Sequence, residues 1–147
     1  MQIRPYQPND QAAVIALWEQ CGLVRPWNDP KKDIERKLYI QPELFLIAEV
    51  DHQLVATVMA GYEGHRGWLN YFAVSPNHQR KGIGRSLLAE AEHLLCAAGC
   101  PKINLQVRAS NKNAVDFYMS CGYSEDEVIS LGKRLESDQK LAPKRTT

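Results

Sequence analysis

The chain has 147 residues, of which 44% are hydrophobic and 24% charged, and a formal net charge of +1. That length supports one domain with a sizeable core, and the near-neutral balance excludes a nucleic-acid binder that works by bulk electrostatics. No apolar run reaches the roughly 20 residues that span a bilayer, and Met1-Gln2-Ile3-Arg4 is no secretory signal, so a cytoplasmic protein without a membrane partner is expected.

Ile3 to Tyr6 reads as a first strand, closed by Pro8-Asn9-Asp10 as turn and helix cap. Val14, Leu17, Trp18 and Cys21 recur at helical spacing, and Gly22 ends that helix. After the polar, aromatic loop Arg25-Pro26-Trp27-Asn28-Asp29, Pro30 opens a second helix capped by Asp29. Leu44 to Val50 and Leu54 to Tyr62 are apolar, partly β-branched runs joined by a tight hairpin at Asp51-His52-Gln53. Glu63 to Gly67 turns the chain into a third antiparallel run, Trp68 to Val74.

A polar turn and an amphipathic helix follow, with Ile83, Leu87, Leu88, Ala91, Leu94, Leu95 and Ala98 on one face. Gly99-Cys100-Pro101 stops it. Ile103 to Val107 alternates as a strand, and Ala114, Phe117, Tyr118 and Cys121 mark a last helix between Ser110-Asn111 and Gly122. Val128 to Leu135 reads as a final strand. Residues 1–135 thus form a single domain, and the polar run 136–147 is expected to be a disordered tail. Cys21, Cys96, Cys100 and Cys121 have no C-x-x-C spacing and read as reduced, buried thiols, with no metal site.

The most informative stretch is Val74-Ser75-Pro76-Asn77-His78-Gln79-Arg80-Lys81-Gly82-Ile83-Gly84-Arg85. Two glycines at a strand-to-helix junction let backbone approach a ligand closely, and the free amides of a helix start favour anions. Arg80, Lys81 and Arg85 add positive charge there. The physical reading is a cradle for a pyrophosphate. Against it stands a plain turn with a solvated basic surface. The run lacks G-x-x-x-x-G-K-[ST], and Leu87 stands where a dinucleotide fingerprint needs its third glycine.

The run does resemble the acyl-CoA loop of the GCN5-related N-acetyltransferases (the GNAT family), [QR]-x-x-G-x-[GA] after V-x-P. A second motif agrees: Asn111-x-x-Ala114-x-x-Phe117-Tyr118-x-x-x-Gly122-Tyr123 resembles the later N-x-x-A-x-x-[LF]-Y-x-x-x-G-[FY]. The resemblance covers nearly the whole chain. It implies an α/β (α+β) fold in which four helices flank a mixed, mostly antiparallel, splayed sheet of six to seven strands. RPWNDP, GHRG and SLGKRL further resemble the YpeA-type bacterial acetyltransferases.

What the resemblance implies is an acetyl-CoA-dependent N-acetyltransferase acting by direct attack of a primary amine, with no metal. The loop from Gln79 to Arg85 would hold the pyrophosphate. Phe72-Ala73-Val74, on a strand that splays from Ile103–Arg108, would pair with the pantetheine arm. Tyr118 would protonate the departing thiolate. Asn111 could contact the CoA arm, cap its helix, or do both.

The pattern departs at one position. Leu105-Gln106-Val107-Arg108-Ala109-Ser110-Asn111 resembles the L-E-V-R-x-S-N of enzymes that acetylate protein N-termini, with Gln106 where the glutamate base stands. Glutamine cannot take up a proton at neutral pH. For a lysine-like substrate Glu63, His65 and Glu49 are the alternative bases, each read first as an ordinary surface charge. For the acceptor, the resemblance points to the loop carrying Trp27, Asn28 and Asp29, although Trp27 could be core and Asp29 a helix cap. The missing glutamate also leaves room for a non-catalytic acyl-CoA-binding or sensor module. The acceptor itself is not encoded legibly, and a homodimer is compatible with the resemblance.

Overall fold

The computed structural model describes residues 1–139. Its order is β1 (Gln2–Pro5), α1 (Gln11–Gln20), α2 (Pro30–Tyr39), β2 (Phe45–Val50), β3 (Gln53–Tyr62), β4 (Gly67–Val74), α3 (Ile83–Ala97), β5 (Ile103–Leu105) and α4 (Lys112–Ser120). The strands lie in sequence order in one sheet. The first three pairings are antiparallel, and β5 runs parallel to β4.

The β2–β3 hairpin closes through Asp51 and His52 at φ 50° and 63°, the pair of left-handed residues that matches the right-handed twist of a two-residue turn. Each face of the sheet carries its own apolar layer. On one face, Ile83, Leu87, Leu88, Ala91 and Leu95 of α3 cover Leu46, Ala48, Val58 and Leu69. On the other, Val14, Leu17 and Trp18 of α1 and Ile34 of α2 cover Phe45, Ile47, Met59 and Ala73. The amphipathic stripes of these helices are thus buried against opposite sides of one sheet.

Several expectations change. The described residues hold five strands, not six to seven, and Val128–Leu135 is not a strand. Val128, Ile129, Leu131 and Leu135 are all exposed. Neighbours hold this segment through side chains instead of a ladder. Lys102 and Asn104 bond Asp126, Gln106 donates to Ser130, and Arg134 donates to Asn28. The alternation at Val128-Ile129 is also broken, so no single register would bury the apolar set.

Within 136–147, Asp138 is buried and pairs with Arg36 at 2.7 Å; residues 140–147 lie outside the described ones. Asp10 does not cap α1. Its carboxylate accepts from the Gln7 amide and from Arg4. The cysteines are free thiols but not buried: Cys96 is exposed and the other three are half-buried. Leu95 faces the sheet, so the next residue around the helix faces solvent.

Candidate functional site

Strands β4 and β5 pair only at Gly67↔Ile103, Trp68↔Asn104 and Leu69↔Leu105. Beyond Leu69 the β4 strand continues to Val74 while β5 stops at Leu105, so the sheet opens there. Gly67 permits the close approach at the base of the opening: a Cβ on it would lie 2.7 Å from Cys100 Sγ.

The opening coincides with a bulge. Between Thr57↔Ala73 and Met59↔Asn70, Val58 alone faces Tyr71 and Phe72. Tyr71 takes φ 50°, unusual for a bulky residue. One extra residue reverses the side-chain alternation. Leu69 packs on the α3 side, whereas Tyr71 and Ala73 pack on the α1 side and Phe72 and Val74 return to the α3 side.

The loop after β4 has the conformation that its glycines suggest. Arg80 and Gly82 are both left-handed, at φ 63° and 82°. The first α3 hydrogen bond is Ser86 N–H to the Gly82 carbonyl, which leaves the amides of Ile83, Gly84 and Arg85 without helical partners. Among the described residues, no main-chain hydrogen bond is donated by Gln79, Arg80, Lys81 or Gly82 either. Such a run of unpaired amides, with left-handed turns at Arg80 and Gly82, is suited to an anion.

Side chains in the loop take more varied roles. Gln79 donates to the Val74 carbonyl at 3.1 Å, which ties the loop to the end of β4. Arg85 reaches across to Ser120 Oγ at 3.1 Å, fastening the start of α3 to the end of α4. A Cβ on Gly84 would meet Val74 at 3.3 Å and the Phe72 and Phe117 rings at 3.5 Å. The helix start therefore lies directly against Phe72.

On α4, Asn111 caps the helix, its side-chain oxygen accepting from Ala114 N–H at 3.2 Å. Phe117 and Tyr118 face Phe72, at centroid distances of 5.6 and 5.8 Å. The Tyr118 hydroxyl donates to no described residue, and burial, followed by the nearby Cys121, pushes its pKa up to about 12. It is a donor that keeps its proton.

Tyr118 also lines a broad groove of about 1560 Å³ with Trp68, Asn70, Gln106, Arg108 and Asn28. That exceeds the space a small ligand alone requires. Trp27 is not core: it is 40% exposed and carries the Arg108 guanidinium 5.6 Å from its ring centre. Asp29 caps α2 through the Lys31 and Lys32 amides. Glu63 accepts from the His65 and Arg66 amides of its own turn, and Glu49 pairs with Arg4 at the far edge of the sheet. The structure brings Phe72, Gly84, Phe117 and Tyr118 together and sets Gln106 in the same groove lining as Tyr118, while Asn111 is seen only as the α4 cap and Glu63 and Glu49 lie outside that lining.

Neither Thr57 nor the bulge is among the features expected from sequence. A threonine in the apolar run Val55-Ala56-Thr57-Val58 was the available signal. Its hydroxyl, wholly buried, accepts from Trp18 Nε1 and donates to the Tyr71 carbonyl, both at 2.8 Å.

Residues 9–123 match the model of the acetyltransferase (GNAT) family. An acetyltransferase of Sodalis glossinidius is 49% identical over 140 residues, covering 95% of this chain and 99% of its own. Among solved structures, the ribosomal-protein-S18-alanine N-acetyltransferase of Escherichia coli superposes with a TM-score of 0.72 at 24% identity, over 85% of this chain and 78% of that one. AAC(6')-Iy, in complex with the bisubstrate analogue CoA-S-monomethyl-acetylneamine, gives 0.75 at 19% identity over 90% and 97%. The chain belongs to the GNAT family of acetyltransferases.

Proposed function

We propose that this GNAT chain is an N-acetyltransferase that moves the acetyl group of acetyl-CoA to a primary amine, of a small molecule or a peptide, by direct attack in a ternary complex. The observation that carries the proposal is the contiguity of three parts: the unpaired amides at the start of α3, the bulged end of β4, and Tyr118 on α4. The amides from Gln79 to Arg85 would hold the diphosphate, with Arg80 and Lys81 adding charge. The Phe72–Val74 segment would align the pantetheine arm, and a main-chain N–H there would steady charge on the thioester oxygen.

In the reaction a C–N bond forms, the C–S bond breaks, and the thiolate takes up a proton. Tyr118 would meet the sulfur. A phenol near pKa 12 is a poorer acid than a thiol near 8.5, so complete transfer is uphill by on the order of 5 kcal/mol. Tyr118 therefore acts chiefly as a hydrogen-bond donor to the developing thiolate, with the final proton drawn from the ammonium or from water.

The amine must lose a proton before it attacks. At pH 7 this costs about 1.4 kcal/mol for an α-amine near pKa 8 and about 4.6 for a lysine near 10.4. Gln106 cannot accept that proton, and its Nε2 donates to Ser130. An amine of low pKa that loses its proton to water is the acceptor class that this groove suits best.

Thiol release from acetyl-CoA across a panel of amines and peptides tests the proposal. Release with a subset of amines supports it. Tight CoA binding without release from any would favour the non-catalytic module, for which Gln106 is the specific argument.

A further inference from the structure

Thr57 is enclosed in an apolar strand with no exposed surface, and both hydrogen-bonding capacities of its hydroxyl are used. A valine would fill the same volume, so packing alone does not call for the hydroxyl. The carbonyl it holds belongs to Tyr71, the single residue of β4 in the left-handed region. A bulky residue there is strained and persists only where its surroundings fix it. Three contacts do so. The Tyr71 ring stacks on Trp18 at 3.8 Å, its hydroxyl donates to Asp33 at 2.5 Å, and its carbonyl accepts from Thr57.

The peptide between Tyr71 and Phe72 is planar and trans, so the Phe72 N–H points opposite to the Tyr71 carbonyl. That carbonyl turns toward Thr57 and Trp18, on the α1 side of the sheet. The Phe72 N–H is thereby turned away from Thr57 of β3 and from the α1 side, while the Phe72 ring meets Tyr118 on the α3 side.

We infer that the Thr57 hydroxyl, backed by the Trp18 indole, is the positioning group that aims the Phe72 N–H at the carbonyl oxygen of the bound thioester. Neither side chain touches substrate; both act through the main chain of the bulge. As the C–N bond forms and the C–S bond breaks, negative charge grows on that oxygen. A donor fixed beforehand favours this state over the starting carbonyl. The inference rests on the acetyl-transfer reading above.

The test uses the full chain with [1-13C]acetyl-CoA and reads the infrared band of the bound thioester carbonyl, together with kcat on an accepted amine and Kd for CoA. In Thr57→Val the band is expected to move to higher frequency and kcat to fall about tenfold or more, with Kd for CoA unchanged; Thr57→Ser restores both. Should Thr57→Val fail to fold, Trp18→Phe, which keeps a ring and loses the N–H, is expected to shift the band in the same direction. A Thr57→Val or Trp18→Phe chain that binds acetyl-CoA with the wild-type band and kcat overturns the role of Thr57 while acetyl transfer stands. A wild-type chain that binds no acetyl-CoA overturns both.

Discussion

The Phe72 ring lies 5.8 Å from the Tyr118 ring, inclined at 57°. Through this contact the strand assigned to the thioester and the side chain assigned to its sulfur are packed on one another.

Replacing Tyr118 by Phe keeps that packing and deletes only the hydroxyl. Removing one fixed donor to developing charge costs about 10²–10³-fold, and a thiolate, already a fair leaving group, places Tyr118 at the low end. The expected result is a drop in kcat of about a hundredfold with Kd for CoA essentially unchanged, measured by steady-state kinetics and calorimetry. An unchanged kcat removes Tyr118 from the mechanism.

The pH dependence follows from the same group. Its pKa is pushed up to about 12, so Tyr118 imposes no descending limb on kcat/KM below about pH 10. The unfolded phenol ionises near 10, and burial favours the neutral form. Stability linked to Tyr118 is therefore full below about pH 10 and is lost as the pH rises toward 12. Tyr118→Phe should lessen that alkaline loss in denaturant titrations.

Gly82 and Gly67 are constrained for different reasons. A side chain at Gly82, φ 82°, meets no neighbour within 4 Å, so Gly82→Ala strains the loop by about 1–2 kcal/mol without a clash. CoA affinity should fall about tenfold while the far-ultraviolet spectrum is retained. At Gly67 the obstacle is contact: an alanine Cβ would press on Cys100 Sγ at 2.7 Å. Gly67→Ala should lose about 1–3 kcal/mol in urea unfolding. Adding Cys100→Ala should recover part of it, a coupling that only neighbouring groups show.

Asp138 anchors the C-terminal segment on α2. Its ion pair with Arg36 holds the carboxyl down to about 2. The contribution is present above the unfolded value near 4 and is lost as pH falls through about 2. Thermal unfolding between pH 5 and 2 should show an acid-dependent loss that Asp138→Asn lessens by removing the pair at every pH, the remainder belonging to carboxyls such as Asp10 that are held down by their own partners. Parallel curves for the two chains would contradict this.

Most of the architecture was legible because its elements follow their own periodicities. The stripe from Ile83 to Leu95 and the Pro30 helix start read directly from the sequence. The bulge did not, because Tyr71 and Phe72 are both aromatic and a reversal of facing leaves no polar residue out of place. Val128–Leu135 has strand-forming residues, yet whether a strand forms depends on neighbours that no local pattern names. At the site, the loop and Tyr118 were marked by glycine spacing and helical register. The tether of Arg85 to Ser120 and the capture of Gln106 by Ser130 depend on segments 24 or more residues apart.

The claim beneath all of this is that main-chain donors between Gln79 and Arg85 grip a diphosphate. Titration calorimetry of the purified chain with CoA, and in parallel with pantetheine, which has no diphosphate, tests it most directly. Saturable heat with CoA, and binding at least about a hundredfold weaker with pantetheine, are expected. Equal affinity for the two, or no heat with CoA at millimolar concentration, would contradict it.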